Sequence, residues 1–342
     1  MRVANRKGKI VSKKAALCFF LCCMISGVFM APAAAADPRP VIIDSDMTTD
    51  DFMATLLTLK SPDFSVKAIT VTGTGWSFCD AGVKAALGIV ALADAGDVPV
   101  SCWRDAPLVG DNPVPAEWRT SLESVAALNL PEGGQPSDQD AVALFTSTVQ
   151  ASAEKVTVLA IGPLTNIAQA FNNTPSLMDN IEMIYIMGGA VDVPGSSVSE
   201  TNTAAEWNIY CDPLAARTVF ESGVPITLIP LDASNDVPLT MDFLHQLEAD
   251  KHTPEAEFVY TALSNSTDFI QSGGYYFWDP LAAAVMANPG LVTLTQRDVT
   301  VIDVPGAEYG RTKPVGNGPR IEVATQPDGA AFIQYFMSTL NS

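Results

Sequence analysis

A chain of 342 residues with 38 acidic and 19 basic side chains carries a net charge of −19, which repels nucleic-acid polymers and anionic membranes but tolerates cations and small neutral ligands. The length fits one α/β unit. The only two histidines, His245 and His252, sit in polar stretches, which thins out every mechanism that needs a histidine base.

Residues 1–36 read as a leader. Arg2, Arg6, Lys7, Lys9, Lys13 and Lys14 make a basic start, residues 15–30 are an apolar run, and Ala33 to Ala36 precede Asp37. That order is the pattern of a cleaved secretory signal, and the run is short for a bilayer-spanning helix. The expected product is a single domain over residues 37–342, secreted or periplasmic, with no further membrane segment. The leader holds six of the 19 basic residues and none of the 38 acidic ones, so the domain is more acidic still. The three cysteines of the domain, Cys79, Cys102 and Cys211, allow one bridge at most, their count leaves open whether it forms, and buried thiols are expected over a catalytic one because no His lies near.

Val41, Ile42 and Ile43 form a short apolar strand ending on Asp44, and a helical pattern starts near Asp51. The sequence predicts a second strand over 66–71 and a helix over 81–94. Residues 97–138 are rich in Pro and Gly and read as irregular, with a helical stretch near 118–127. A helix over 139–152 leads into a strand over 156–161, then a helix from Thr165 and a strand over 181–187 stopped by Gly188-Gly189. A loop to Tyr210, a helix from Pro213 and a strand over 224–230 come next. Residues 239–271 read as helical, 279–287 as a helix, and 296–325 as a late strand pair. Short β-branched strands alternating with amphipathic helices imply an α/β fold: an open, mostly parallel sheet with helices on both faces. Ligands bind beyond the carboxyl ends of such strands, and the unusual polar clusters all fall there.

The first such cluster is Asp44, Asp46, Asp50 and Asp51, four carboxylates in eight residues. They raise one another's pKa unless a cation or donors compensate. Helix capping accounts for one of them, not four. Oxygen-only ligands without His or Cys favour Ca²⁺ or Mg²⁺.

Two families share this local pattern. Asp44-Ser45-Asp46-Met47-Thr48 resembles the strand end of haloacid-dehalogenase-like phosphatases, with Asp44 as nucleophile and Asp46 as acid/base on Mg²⁺. Asp44, Asp46, Asp50 and Asp51 followed by Phe52-Met53-Ala54 resembles the nucleoside hydrolases. Later motifs decide for the second: Gly162-Pro163-Leu164-Thr165-Asn166, Met187-Gly188-Gly189-Ala190, Glu206-Trp207-Asn208 through Asp212-Pro213, and Tyr275-Tyr276-Phe277-Trp278-Asp279. The resemblance is strongest to the purine-preferring inosine–adenosine–guanosine subgroup. Trp278 stands where other subgroups carry a histidine, and Glu117-Trp118-Arg119 lies where this one places a stacking tryptophan.

The resemblance implies a Rossmann-like nucleoside hydrolase fold and a purine nucleosidase, an N-ribosyl hydrolase that releases base and ribose. It implies Ca²⁺ held by Asp46, Asp51, Asp279 and the Ile161 carbonyl, with Asp44 ordering them and Asp46 as catalytic base. Asp50, Glu206 and Asn208 would bind ribose hydroxyls, Met187 would pack near the sugar, and Trp207 would lie at the substrate. Trp118 and Trp278 would sandwich the base. The partner is then a small nucleoside, and the family admits a homodimer or homotetramer. Departures from the subgroup are Thr48 in place of an Asn, no Asn near Ser196, and no carboxylate or amide in Thr74-Gly75-Trp76-Ser77, which leaves Trp76 as a candidate third aromatic surface. A non-catalytic secreted protein that binds calcium or ribose is the reading from outside the enzyme classes.

Overall fold

The computed structural model describes residues 37–120 and 130–342, together with 1, 3, 4 and 8. Apart from those four residues, the expected leader lies outside the described residues, as does most of the helical stretch expected near 118–127. The compact body is Asp37–Ser342.

Its centre is a nine-stranded sheet in the order β3-β2-β1-β4-β5-β6-β9-β7-β8. In chain order the strands are β1 (Arg39–Ser45), β2 (Phe64–Val71), β3 (Val100–Cys102), β4 (Val156–Ala160), β5 (Ile181–Met187), β6 (Ile226–Ile229), β7 (Thr293–Val301), β8 (Thr312–Pro314) and β9 (Arg320–Thr325). β1 to β6 pair in parallel, β9 joins β6 in parallel, and β7 runs antiparallel to both β9 and β8.

Strand residues alternate between two cores because side chains of a strand point to opposite faces. Val41 and Ile43 join the apolar cluster of Phe52, Leu56, Phe277 and Phe332, whereas Ile42 joins Phe145, Ile167 and Phe171 on the other side. From Pro40 to Ser45 every β1 residue is buried, as a central parallel strand covered on both faces requires. The chain leaves β1 towards β2 and β3 on one side and places β4, β5 and β6 on the other. The order reverses between β1 and β4, and the crevice beyond their carboxyl ends is where such sheets bind ligands.

Four features differ from, or add to, the sequence expectation. The late pair is three strands, and a helix, Gly329–Leu340, closes the chain by burying Phe332 and Phe336. The helical region 239–271 is three helices, Met241–Ala249, Pro254–Ser264 and Thr267–Gln271. Pro254 cannot continue a helix but suits a first turn, and Thr253 caps that turn by accepting from Ala256 N at 3.1 Å. The Pro- and Gly-rich stretch contains β3 and a helix whose described part is residues 116–120. Finally, Cys79 and Cys102 form a disulfide, the one bridge the cysteine count left open, and among the described residues only Cys211 is free. β3 runs alongside β2, and its last residue reaches the helix that follows β2, with the two Cα atoms 5.5 Å apart. That proximity is created by sheet pairing. Among the described residues no helix is long and apolar enough to cross a membrane.

Candidate active site

β1 ends at Ser45, and two residues later Met47 takes a left-handed conformation with φ 54°. A side chain with a Cβ adopts that conformation rarely, so surrounding contacts must hold it. They converge on Asp51, in the first turn of the Thr49–Lys60 helix. Asp51 Oδ1 accepts from Ser45 Oγ at 2.5 Å and Asp46 N at 3.1 Å, while Oδ2 accepts from Thr48 N at 3.0 Å and Thr48 Oγ1 at 2.7 Å. Asp51 thus completes a capping arrangement with Thr48 and also holds the strand end in place. Thr48 Oγ1 bonds Asp50 Oδ1 as well.

Asp279 arrives from the first turn of the Trp278–Ala287 helix. Asp50, Asp51 and Asp279 each bring a carboxylate oxygen to within 4.8 Å of the others. Burial pushes the Asp50 carboxyl up to about 7, with the Asp51 charge adding to it. Burial, then Asp51, hold Asp46 well above the usual range. Asp279 is raised by burial and then by Asp50, Asp51 and Asp46. Asp51 is raised by burial despite its hydrogen bonds. Asp279 Oδ1 is buried with no hydrogen-bond partner. A cluster of repelling carboxylates with an orphaned oxygen costs free energy unless a cation balances it. Oxygen donors alone suit a hard divalent ion, so these residues fit Ca²⁺.

The grouping sharpens the ligand assignment. The sequence put Asp50 on the ribose, whereas its carboxylate joins Asp51 and Asp279. Asp46 Oδ2 turns instead to the Trp76 N–H at 2.8 Å. The Ile161 carbonyl, just beyond β4, accepts from Asn208 Nδ2 at 3.3 Å. Asp44 is fully buried below the cluster: its Oδ2 accepts from Thr70 Oγ1 at 2.5 Å and Asn166 Nδ2 at 2.9 Å. Burial pushes its carboxyl up to about 7. Asp44 does not line the cavity, so the nucleophile role of the phosphatase reading has no access to substrate.

The carboxylates form one end of a cavity of about 500 Å³. Asp46, Asp50, Asp51, Ile161, Met187, Glu206, Trp207, Asn208, Trp278 and Asp279 all line it. The described lining contains no Lys, Arg or His. Trp76 and Trp207 form one aromatic wall, edge-to-face with ring centroids 5.6 Å apart. Tyr275, Tyr276, Phe269 and Trp278 form another, with Trp278 in contact with both tyrosines.

Two expected roles change. Trp118 is not part of the lining; it stacks flat on Trp76, with centroids 5.4 Å and planes 10° apart, so Trp76 takes the cavity-facing place. The two carboxylate oxygens of Glu206 are bound to backbone: Oε1 accepts from Asn208 N at 2.8 Å, and Oε2 from Gly189 N at 2.9 Å and Ile209 N at 3.2 Å. It caps the Trp207–Cys211 helix and fastens it to the Gly188-Gly189 turn, where Gly189 has φ 81° and a Cβ would strike Thr312. Asn208 bridges the Ile161 and Met187 carbonyls, the latter at 3.2 Å, and the cap before Pro213 falls to Asp212. Sequence reasoning missed Asn235: its Oδ1 accepts from Trp278 Nε1 at 3.1 Å and fixes the indole plane. A lone Asn just after a four-residue helix gives no sequence signal.

Comparison with known proteins agrees with this geometry. The family model described as inosine-uridine preferring nucleoside hydrolase matches residues 41–334. The pyrimidine-specific ribonucleoside hydrolase RihA of Escherichia fergusonii is 30% identical, over 88% of this chain and 98% of its own. Among solved structures, an inosine-uridine preferring nucleoside hydrolase from Bacillus anthracis superposes with a TM-score of 0.81 at 24% identity, covering 89% of this chain and 99% of that one. A purine-preferring ribonucleoside hydrolase from Gardnerella vaginalis gives 0.73 at 26% identity, covering 89% and 98%. The match begins at the strand that carries the carboxylates and runs past the last of them, and on that ground the chain belongs to the nucleoside hydrolase family, enzymes that hydrolyse the N-glycosidic bond of ribonucleosides.

Proposed function

We propose that this hydrolase is calcium-dependent and prefers purine ribonucleosides, releasing free base and ribose. The observation that carries the reading is one cavity in which an uncompensated carboxylate cluster faces tryptophan and tyrosine walls without a histidine.

Asp50, Asp51 and Asp279 would hold the ion, with the Asp46 carboxyl and the Ile161 carbonyl beside them. Bound there, calcium supplies the charge that keeps these carboxylates ionised, orients ribose hydroxyls and makes water more acidic. Asp46 takes the proton of the attacking water. Its Oδ2 accepts from the Trp76 N–H, which orients the carboxylate. The sugar passes through an oxocarbenium-like state, and the buried carboxylates stabilise its positive charge. Asp50, besides holding the ion, and Asn208 would read the ribose hydroxyls, since both line the cavity. The leaving base stacks on Trp76 and Trp278, and stacking and cation–π attraction favour its protonated form. The larger purine ring covers more of these walls than a pyrimidine does.

The test is release of reducing sugar from inosine, adenosine, guanosine, uridine and cytidine, with Ca²⁺ and with chelator. Chelator-sensitive turnover with higher kcat/KM on purines is expected. A preference for uridine or cytidine, the specificity in the name of the Escherichia fergusonii relative, would overturn the purine assignment. Binding without turnover would sink the hydrolase reading in favour of a calcium- or ribose-binding protein.

We propose further that the protein works outside the cytoplasm, secreted or periplasmic, after removal of residues 1–36. The basic, apolar and Ala-rich order of that segment supports this, as does the Cys79–Cys102 disulfide, a bond that persists in oxidising compartments. N-terminal sequencing of the exported protein checks it; a start at Met1 in the cytosolic fraction alone would refute it.

A further inference from the structure

The proposed chemistry needs the Asp46 carboxyl in one place, and the segment that holds it is the turn between β2 and the Cys79–Leu92 helix. That turn lies directly on Asp46. Trp76 N donates to Asp46 Oδ2 at 2.8 Å, Ser77 N donates to the Asp46 carbonyl at 3.3 Å, and a Cβ on Gly75 would collide with the Asp46 carboxyl. Its Trp76 and Ser77 amides are taken by Asp46, while the carbonyls of Gly73, Thr74, Gly75 and Ser77 accept from Arg119 and Asn112.

Arg119 lies on the helix at residues 116–120, is only 4% exposed, and does not line the cavity. One guanidinium nitrogen, Nη2, donates to the Gly73 carbonyl and to the Ser77 carbonyl at 3.0 Å, which closes the two ends of the turn on one group. The guanidinium also lies over the Phe78 ring at 3.9 Å and within 3.6 Å of Asp105. Burying this charge is costly, and Nε is left without a partner. Asn112 Nδ2 donates to the Thr74 carbonyl at 2.6 Å and the Gly75 carbonyl at 3.3 Å. The Gly75–Trp76 peptide is therefore held at its oxygen by Asn112 and at its N–H by Asp46.

We infer that Arg119 is a positioning residue for the hydrolysis: by clasping the Gly73 and Ser77 carbonyls it orients the turn whose Trp76 N–H fixes the Asp46 carboxyl. The inference rests on the reading of Asp46 as the base. An arginine suits the task because its planar guanidinium, laid over the Phe78 ring, aims the two N–H groups of Nη2 at two carbonyls in fixed directions, whereas the ammonium of a lysine on a flexible stem has no such fixed plane. The loss expected without the clasp is that of a misplaced catalytic group, which reduces the rate on every substrate alike.

The test compares Arg119→Met, Arg119→Lys, Asn112→Ala and Asp46→Asn on inosine and on a ribofuranoside with an activated phenolic leaving group. Thermal unfolding and near-UV circular dichroism of the stacked Trp76–Trp118 pair are measured alongside. For Arg119→Met, kcat should fall about 10²-fold on both substrates with KM changed only a few-fold, and the tryptophan signal should change. Arg119→Lys should recover part of the loss. Asn112→Ala should show the same kcat pattern at smaller amplitude, and it carries the test should the Met variant not fold. A folded Arg119→Met with the parent kcat, a loss confined to inosine, a loss confined to KM, or no recovery with Lys would overturn the inference. Activity retained by Asp46→Asn would instead overturn the reading of the base.

Discussion

The two ends of the cavity are built in different ways. The acid end comes from one strand–turn–helix of eight residues, Asp44 to Asp51, plus Asp279 from a second helix. Asp44, Asp46, Asp51 and Asp279 are buried and Asp50 is half-buried. The aromatic end is assembled from separate segments: the turn after β2 gives Trp76, the Trp207–Cys211 helix gives Trp207, and the stretch before the Trp278–Ala287 helix gives Tyr275 and Tyr276. Its residues act by area and can substitute for one another, as Trp76 does by facing the cavity with Trp118 stacked behind it. On the proposed reading the acid end would carry the reaction, while the aromatic end would select the base.

Removing charge at the acid end is the largest expected effect. Chelation, or Asp279→Ala, should abolish turnover; Ca²⁺ should restore the chelated enzyme, and calorimetry should show calcium affinity lost in the variant. Full activity of Asp279→Ala would show that the ion sits elsewhere. Asp46→Asn keeps the shape and removes the base, so kcat should fall by about 10²- to 10⁴-fold while substrate still binds. A fall in affinity equal to that in kcat would point to a ligand role instead.

At the aromatic end, Trp278→Ala should reduce kcat/KM on purine nucleosides by about 10- to 100-fold, the scale of one base–aromatic stacking contact. A ribofuranoside with an activated leaving group should lose less. Equal losses would mean that Trp278 supports the neighbouring Asp279 and not the base, which would break the contrast between the two ends. The smallest effect on catalysis is expected from Cys79→Ser with Cys102→Ser. The closed loop has a separation of 23 residues, and opening it should lower unfolding free energy by about 3 kcal/mol in urea titration. If kcat also falls, the disulfide helps to hold the Trp76 turn as well as the fold.

What was legible in the sequence divides along the same line. The acid end was readable because four carboxylates at a strand end have no economical explanation without a cation, and because strands such as 41–43 and 181–187 announce themselves as apolar runs. The sequence put Asp50 on ribose and did not show that its carboxylate also meets Asp279, since spacing along a helix does not say which carboxylate meets one from a helix over 200 residues later. The motif around Glu206 marks that residue as important but does not show its backbone partners: its bonds to Gly189, Asn208 and Ile209 exist only once β5 and the Trp207–Cys211 helix are side by side.

The sequence by itself determined the mostly parallel α/β sheet, the carboxylate cluster and the family, because each rests on residue type and local order. Tertiary structure decided the rest: the Cys79–Cys102 bridge through the pairing of β2 with β3, the exchange of Trp118 for Trp76 at the cavity wall, and the clasp of Arg119 on the turn over Asp46. Each of those depends on two segments distant in the chain meeting at a set distance and angle. Hydrophobic periodicity records which face of a segment is buried but not which segment buries it.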